Sequence, residues 1–203
     1  MNVLKLLLAI VIGYLLGSLS SSILLSRSAW GGDVRAKGSG NAGATNMARV
    51  YGWAAGIVTL LCDMAKAGLS VWLGWKLLGD WGLAASGIAC MVGHCFPVFH
   101  NFKGGKGISV GAAIGLAIDW RVFVTIVVVF LIVALLTKKV SAGSLAASAA
   151  IAVASILFAV GTPKIVLAVT AMCIAVFQHR GNIDRLSRGV EPDFKAADDK
   201  RNK

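Results

Sequence analysis
Charged residues are scarce in this sequence. They fill 14% of its 203 positions, and acids number nine against 20 lysines and arginines. A soluble domain carries about 25% charged and 45–50% apolar residues, so a 57% hydrophobic content exceeds what one water-soluble core can hold. Period-two alternation is missing too. The apolar residues come in continuous runs, which select helices over strands, and only helices or closed barrels satisfy the backbone in lipid. Cysteine is sparse: Cys62, Cys90, Cys95 and Cys173 lie in or beside apolar segments without a CxxC pair. That argues against a disulfide framework or a metal site and leaves small core or lipid-facing residues. The first apolar run, from Val3 to about Leu25, lacks an A-x-A cleavage signature and reads as a retained span.

What is present is a series of apolar segments at 3–25, 53–78, 81–99, 108–118, 122–136, 142–160 and 164–178, divided by short polar or Gly/Pro punctuation. Crossing a bilayer takes roughly 20 apolar residues as a helix. The fold expected is all-α, a polytopic transmembrane bundle of about seven helices, some of them short. With the N-terminus outside and the C-terminus cytoplasmic, fifteen lysines and arginines fall in cytoplasmic segments and four outside, a positive-inside bias. The region 108–136 reads as two short helices around Asp119-Trp120-Arg121, with one broken helix as the alternative. A net charge of +11 follows from this sidedness and from anionic lipid at the inner surface, so no nucleic acid is required. Residues 1–192 form a single membrane domain, and 193–203 a polar tail expected to be disordered.

Three polar clusters fall on the expected cytoplasmic side. Gly38-Ser39-Gly40-Asn41-Ala42-Gly43-Ala44-Thr45-Asn46, followed by Arg49, combines glycines with small hydroxyl and amide residues. Backbone amides in such a stretch can face a common anion, and an arginine can clamp phosphate; a flexible loop with an exposed arginine is the alternative. The second runs from Gly93-His94-Cys95 to Lys103-Gly104-Gly105-Lys106-Gly107 and opens an apolar helix. It suits phosphate or a basic membrane-edge anchor. A Walker A loop is excluded, since His100 stands where a glycine is needed and Ile108 follows Gly107. The third, His179-Arg180-Gly181-Asn182 with Asp184, Gly189 and Glu191, reads as a polar site or as a basic stop-transfer tail. His179 and Asp184 also share the HxxxxD spacing of an unrelated acyltransferase family, a coincidence given that its other motifs are absent. Within the second span, Asp63 and Lys66 stand three residues apart and are expected to pair structurally.

Taken together, GSGNAGATN with Arg49, GHCFPVFHNFKGGKG, and HRGNIDRL with Gly189 and Glu191 resemble the three cytoplasmic motifs of the acyl-phosphate:glycerol-3-phosphate acyltransferase family, over essentially all of residues 1–192. The resemblance implies a bacterial inner-membrane enzyme with its site on the cytoplasmic side. Such an enzyme transfers an acyl group from acyl phosphate to the sn-1 hydroxyl of glycerol 3-phosphate, giving 1-acylglycerol 3-phosphate and phosphate for phospholipid synthesis. Neither a metal nor another cofactor is implied. Partners would be membrane lipids, the two substrates and the soluble enzyme that makes acyl phosphate. By position, Ser39, Arg49, His179 and Asn182 carry activity. Gly38, Gly40, Asn41, Gly43, Thr45, Asn46, His94, Lys103, Gly104, Gly105, Lys106 and Gly107 bind phosphate or shape its loops, and Glu191 is structural. Ala42 departs from the proline of many relatives.

An activated mixed anhydride needs placement and charge stabilisation more than a strong nucleophile. Direct attack by the glycerol hydroxyl is therefore expected, with His179 or the substrate phosphate taking the proton, and His100 is expected at the lipid headgroups. The rival class is an organic-phosphate transporter. It would place its polar residues near the bilayer midplane, often with an internal repeat, and only Asp63 and Lys66 favour it.

Overall fold
The computed structural model describes residues 2–197, so the end of the expected disordered tail, 198–203, lies outside the described residues. Among those described, every regular element is helical: α1 (Val3–Ser18), α2 (Ser21–Trp30), α3 (Ala44–Tyr51), α4 (Trp53–Cys95), α5 (Ile108–Ile118), α6 (Trp120–Thr137), α7 (Val140–Leu157), α8 (Thr162–Gln178) and α9 (Arg180–Ser187). Four stretches are long and apolar enough to cross a membrane, and α8 with α9, bent by 61°, makes five.

The interior is lined with small residues. Ala67, Ala84, Ala168, Ser70, Ser86 and Ser155 are buried, while Leu135 and Leu136 on α6 stand 74% and 80% exposed. That inversion of a soluble protein fits a lipid surround, where close backbone approach rather than apolar burial holds helices together. Gly13 and Gly17 form a G-x-x-x-G pair on α1. A Cβ at Gly13 would lie 2.5 Å from the Ser86 carbonyl oxygen, and one at Gly17 would lie 2.2 Å from that of Cys90.

Helix α4 is two arms. Leu78 and Gly79 leave helical geometry, and Gly79 takes φ +59°. Residues 74 and 82 would be about 12 Å apart in a straight helix, yet a Cβ at Gly74 would lie 2.3 Å from the Gly82 carbonyl oxygen. The arms, 53–77 and 80–95, therefore run antiparallel, as the separate segments 53–78 and 81–99 predict. The second arm stops at Cys95, before Pro97, rather than reaching Phe99.

The region 108–136 is two helices. Asp119 is extended between α5 and α6, and its Oδ1 accepts from the Arg121 amide at 2.8 Å. One expectation changes: the run 3–25 is not continuous. The chain is extended at Leu19 and Ser20 and resumes as α2 to Trp30. Carbonyls released by a helix break in lipid need a donor, and the ammonium of Lys66 supplies it, at 3.1 Å from Gly17 O and 2.6 Å from Leu19 O.

Residues 31–43, 96–107, 138–139 and 179–197 meet at one end of the bundle. The other end carries the α4 hairpin turn, the Asp119–Arg121 pair and the Lys164–Asp80 pair at 3.8 Å. Of the expected tail, Phe194 N donates to Lys138 O and Ala197 N to Ala48 O, both at 3.1 Å.

Candidate functional site
The first loop is built around Asn46, which is 1% exposed at the start of α3. Its Oδ1 accepts from the Ser39 amide at 2.8 Å, and its Nδ2 donates to the carbonyls of Val34, Lys37 and Asn41 at 3.0–3.1 Å. Asn46 thus ties the loop into one shape and has its amide group occupied. Gly38 and Gly40 take φ +59° and +72°, and a Cβ at Gly38 would meet Asn46 Oδ1 at 2.3 Å. Gly43 caps α3, with its amide on Asn41 O at 3.2 Å. Ser39 is exposed, Asn41 and Thr45 half-buried. No hydrogen bond joins the Ser39 hydroxyl to a base among the described residues. Arg49, on α3, faces the Phe194 ring at 5.8 Å.

The second loop is folded back onto the end of α4. Gly104 N donates to Cys95 O at 3.1 Å and Gly105 N to His94 O at 3.0 Å. These two amides are spent inside the protein, and the glycines are needed for space. A Cβ at Gly105 would lie 2.3 Å from His94 Nε2 and 2.7 Å from Ala42 O, which wedges this residue between the first loop and His94. Gly107, at φ +82°, caps α5, whose first amides lack acceptors within the helix. Lys103 is exposed. His100, expected at the headgroups, is instead buried, at the end of the short turn Val98–His100.

Below this loop, Asp63 and Lys66 pair at 2.9 Å, both buried. Ser21 Oγ donates to Asp63 Oδ1 at 2.8 Å, and Lys66 Nζ lies 3.1 Å from His94 Nδ1. An ammonium only donates, so Nδ1 accepts and the ring proton sits on Nε2. The pair is a structural clasp beneath the second loop.

The third cluster completes the site. Lys106 Nζ donates to Asn182 Oδ1, and Asn182 Nδ2 donates to Glu191 Oε1 at 2.6 Å. Glu191 also accepts from Ser141 Oγ and Arg185 Nε, both at 2.6 Å. Gln178 Nε2 donates to Gly105 O at 3.1 Å, and Lys139 Nζ to Glu191 O at 2.7 Å. Burial pulls Lys106 down to about 8; Glu191 opposes this, and Arg185 and Arg49 add to it. Burial alone would raise the Glu191 carboxyl, but hydrogen bonds from Ser141, Asn182 and Arg185 outweigh it and hold the pKa below its ordinary value. His179 is 2% exposed, with Nδ1 2.7 Å from Ala175 O. A carbonyl only accepts, so Nδ1 carries the proton and Nε2 keeps a free lone pair. Asp184 pairs with Arg188 on the surface, which fits the coincidental reading of the HxxxxD spacing.

Arg49, Arg185 and the His179 imidazole lie within electrostatic reach of Lys106, beside the glycine loops, while Lys103 stands exposed on the second loop. Residues that the sequence did not single out hold it. Arg35 crosses from the first loop to the second, with NH1 donating to His100 O and Lys103 O, each at 2.9 Å. Gln178, Ser141, Arg185 and Lys139 brace the third. The Asp33-Val34-Arg35 spacing was the one signal for Arg35; a helix-end glutamine or a serine carries none.

The glycerol-3-phosphate acyltransferase family model matches residues 7–189. Glycerol-3-phosphate acyltransferases of Finegoldia magna and Mesorhizobium japonicum are 38% and 40% identical, over 94% and 92% of this chain and 97% and 94% of their own. Two crystal structures of PlsY (YgiH), an integral membrane glycerol 3-phosphate acyltransferase, share the fold. The glycerol 3-phosphate form superposes with a TM-score of 0.89 at 30% identity, covering 94% of this chain and 96% of that one. The lysophosphatidic acid form gives 0.87 at 29%, covering 94% and 95%.

Proposed function
The chain belongs to the glycerol-3-phosphate acyltransferase family, and on that premise we propose that it moves a fatty acyl group from acyl phosphate to the sn-1 hydroxyl of glycerol 3-phosphate, releasing 1-acylglycerol 3-phosphate and phosphate. The observation that carries this reading is the meeting of the three polar stretches around Lys106, where Asn182 and Glu191 hold a cation at the edge of an apolar bundle. Both substrates carry phosphate and one carries a long alkyl chain. Basic loops suit the phosphates, while the chain stays in lipid, each buried methylene contributing about 0.8 kcal/mol.

In this reading Lys106, Lys103 and Arg49 neutralise phosphate charge, and the Ser39 hydroxyl and the free amides at the start of α5 donate to phosphate oxygens. The glycerol hydroxyl attacks the acyl carbonyl, the C–O bond to phosphate breaks, and phosphate leaves with that electron pair. Two groups can take the hydroxyl proton: His179 at Nε2 and a substrate phosphate. Ser39 has no imidazole to activate it, so no acyl-enzyme forms.

The same reading places the chain in a bacterial inner membrane as one domain, residues 1–192, with the site cytoplasmic. Seven crossings follow if α1 with α2, each arm of α4, and α5, α6, α7 and α8 each traverse once, N-terminus outside. A soluble enzyme that makes acyl phosphate would supply the donor. The transporter reading loses its support because Asp63 and Lys66 are occupied by each other and by the α1–α2 break.

Purified protein in detergent, given glycerol 3-phosphate with acyl phosphate, acyl-CoA or acyl carrier protein, tests the proposal. Product should appear with acyl phosphate alone. Turnover with acyl-CoA and none with acyl phosphate would refute the donor assignment.

A further inference from the structure
The second loop makes a turn that is unfavourable on its own. Asn101 and Phe102 both take φ +56°, a left-handed conformation that non-glycine residues avoid and that persists only where the surroundings over-determine it. The carbonyls on either side of this pair, those of His100 and Lys103, accept from one guanidinium nitrogen, NH1 of Arg35, each at 2.9 Å. The rest of that guanidinium is held by Asp33, with Nε to Oδ1 at 3.0 Å and NH2 to Oδ2 at 2.8 Å. Asp33 in turn caps its own short turn by accepting from the Arg35 amide. The peptide unit joining Lys103 to Gly104 is thus fixed at both ends: its carbonyl by Arg35, its N–H by Cys95 O. Two residues further on lies Lys106.

We propose that Arg35, aimed by Asp33, is a positioning residue that fastens the Asn101–Lys103 turn and so sets where Lys103 and Lys106 meet the acceptor's phosphate. This rests on the acyltransferase reading and adds to it the group that places the second loop. Fork geometry is required, because a lysine ammonium cannot hold the Asp33 carboxylate bidentately and reach two carbonyls at once.

The test is steady-state kinetics of the full chain in detergent, varying each substrate, for wild type, Arg35→Lys, Arg35→Ala and Asp33→Asn. Expected is a rise in the glycerol 3-phosphate KM of about tenfold or more for Arg35→Ala, with kcat changed by less than about threefold and the acyl phosphate KM unmoved. Arg35→Lys and Asp33→Asn should fall between wild type and Arg35→Ala. Unchanged glycerol 3-phosphate KM in Arg35→Ala would overturn the proposal, as would equal loss for both substrates. If Arg35→Ala does not fold, the same split in the two milder variants decides. Failure of wild type to use glycerol 3-phosphate would instead sink the acyltransferase reading itself, so the two failures are distinguishable.

Discussion

The ammonium group of Lys106 donates to the side-chain oxygen of Asn182, 76 positions later in the chain. With Gln178 on the Gly105 carbonyl, this contact joins the second polar stretch to the third, and Glu191 fixes Asn182 from behind. Removing the cation should harm binding of the acceptor's phosphate more than folding. Lys106→Ala is expected to lower kcat/KM for glycerol 3-phosphate by about 10²–10³-fold, measured beside an unchanged melting temperature. Lys106→Arg should retain part of the activity.

The pH profile follows from the same residue. In the free enzyme Lys106 loses its proton as pH rises through about 8, chiefly because burial disfavours its charged form. The neutral amine no longer attracts phosphate, so kcat/KM should fall on the alkaline side with a limb near that value. Lys106→Arg should move the limb upward, since a guanidinium stays charged. A wild-type profile flat to pH 10 would remove Lys106 from phosphate binding.

Glu191 is a brace, and its loss should appear in stability. Glu191→Ala leaves Asn182, Ser141 and Arg185 without their acceptor. Because the Arg185 side chain is 41% exposed and can rehydrate, the expected cost is about 2 kcal/mol, read as a lower melting temperature. The depressed carboxyl stabilises the fold fully above its ordinary value of 4.5 and loses that contribution as pH falls through the depressed one. Glu191→Gln should flatten this acid limb.

Gly105 is a steric test of loop convergence. An added methyl would collide with His94 Nε2 and Ala42 O, neither of which can move freely, so Gly105→Ala should cost about 1–3 kcal/mol and most of the turnover. Gly181→Ala, whose Cβ would come no nearer than 3.6 Å to Arg185 NH1, should be mild in comparison.

Much of this was legible in the chain itself. Continuous apolar runs disclosed the helices, and Asp119-Trp120-Arg121 marked a turn where the runs alone left the count open. The motif residues Asn182 and Glu191 stood out through the family resemblance, and the pair Asp63–Lys66 because charges within a span are costly. What stayed hidden depended on long-range contact. No periodicity shows that Lys66 would satisfy a helix broken at Leu19, or that the amides of Gly104 and Gly105 would be consumed by Cys95 and His94. The nearby Asp33 was the one sign of Arg35, and the carbonyls it holds lie 65 and 68 positions away.

The account turns on the first and second loops sharing one membrane face. Single cysteines at Ser39 and Lys103, in a background without the four native cysteines, can be labelled with an impermeant maleimide in sealed vesicles of either orientation. Both positions should react from the cytoplasmic side only. Labelling of the two from opposite sides would contradict the shared site and everything built on it.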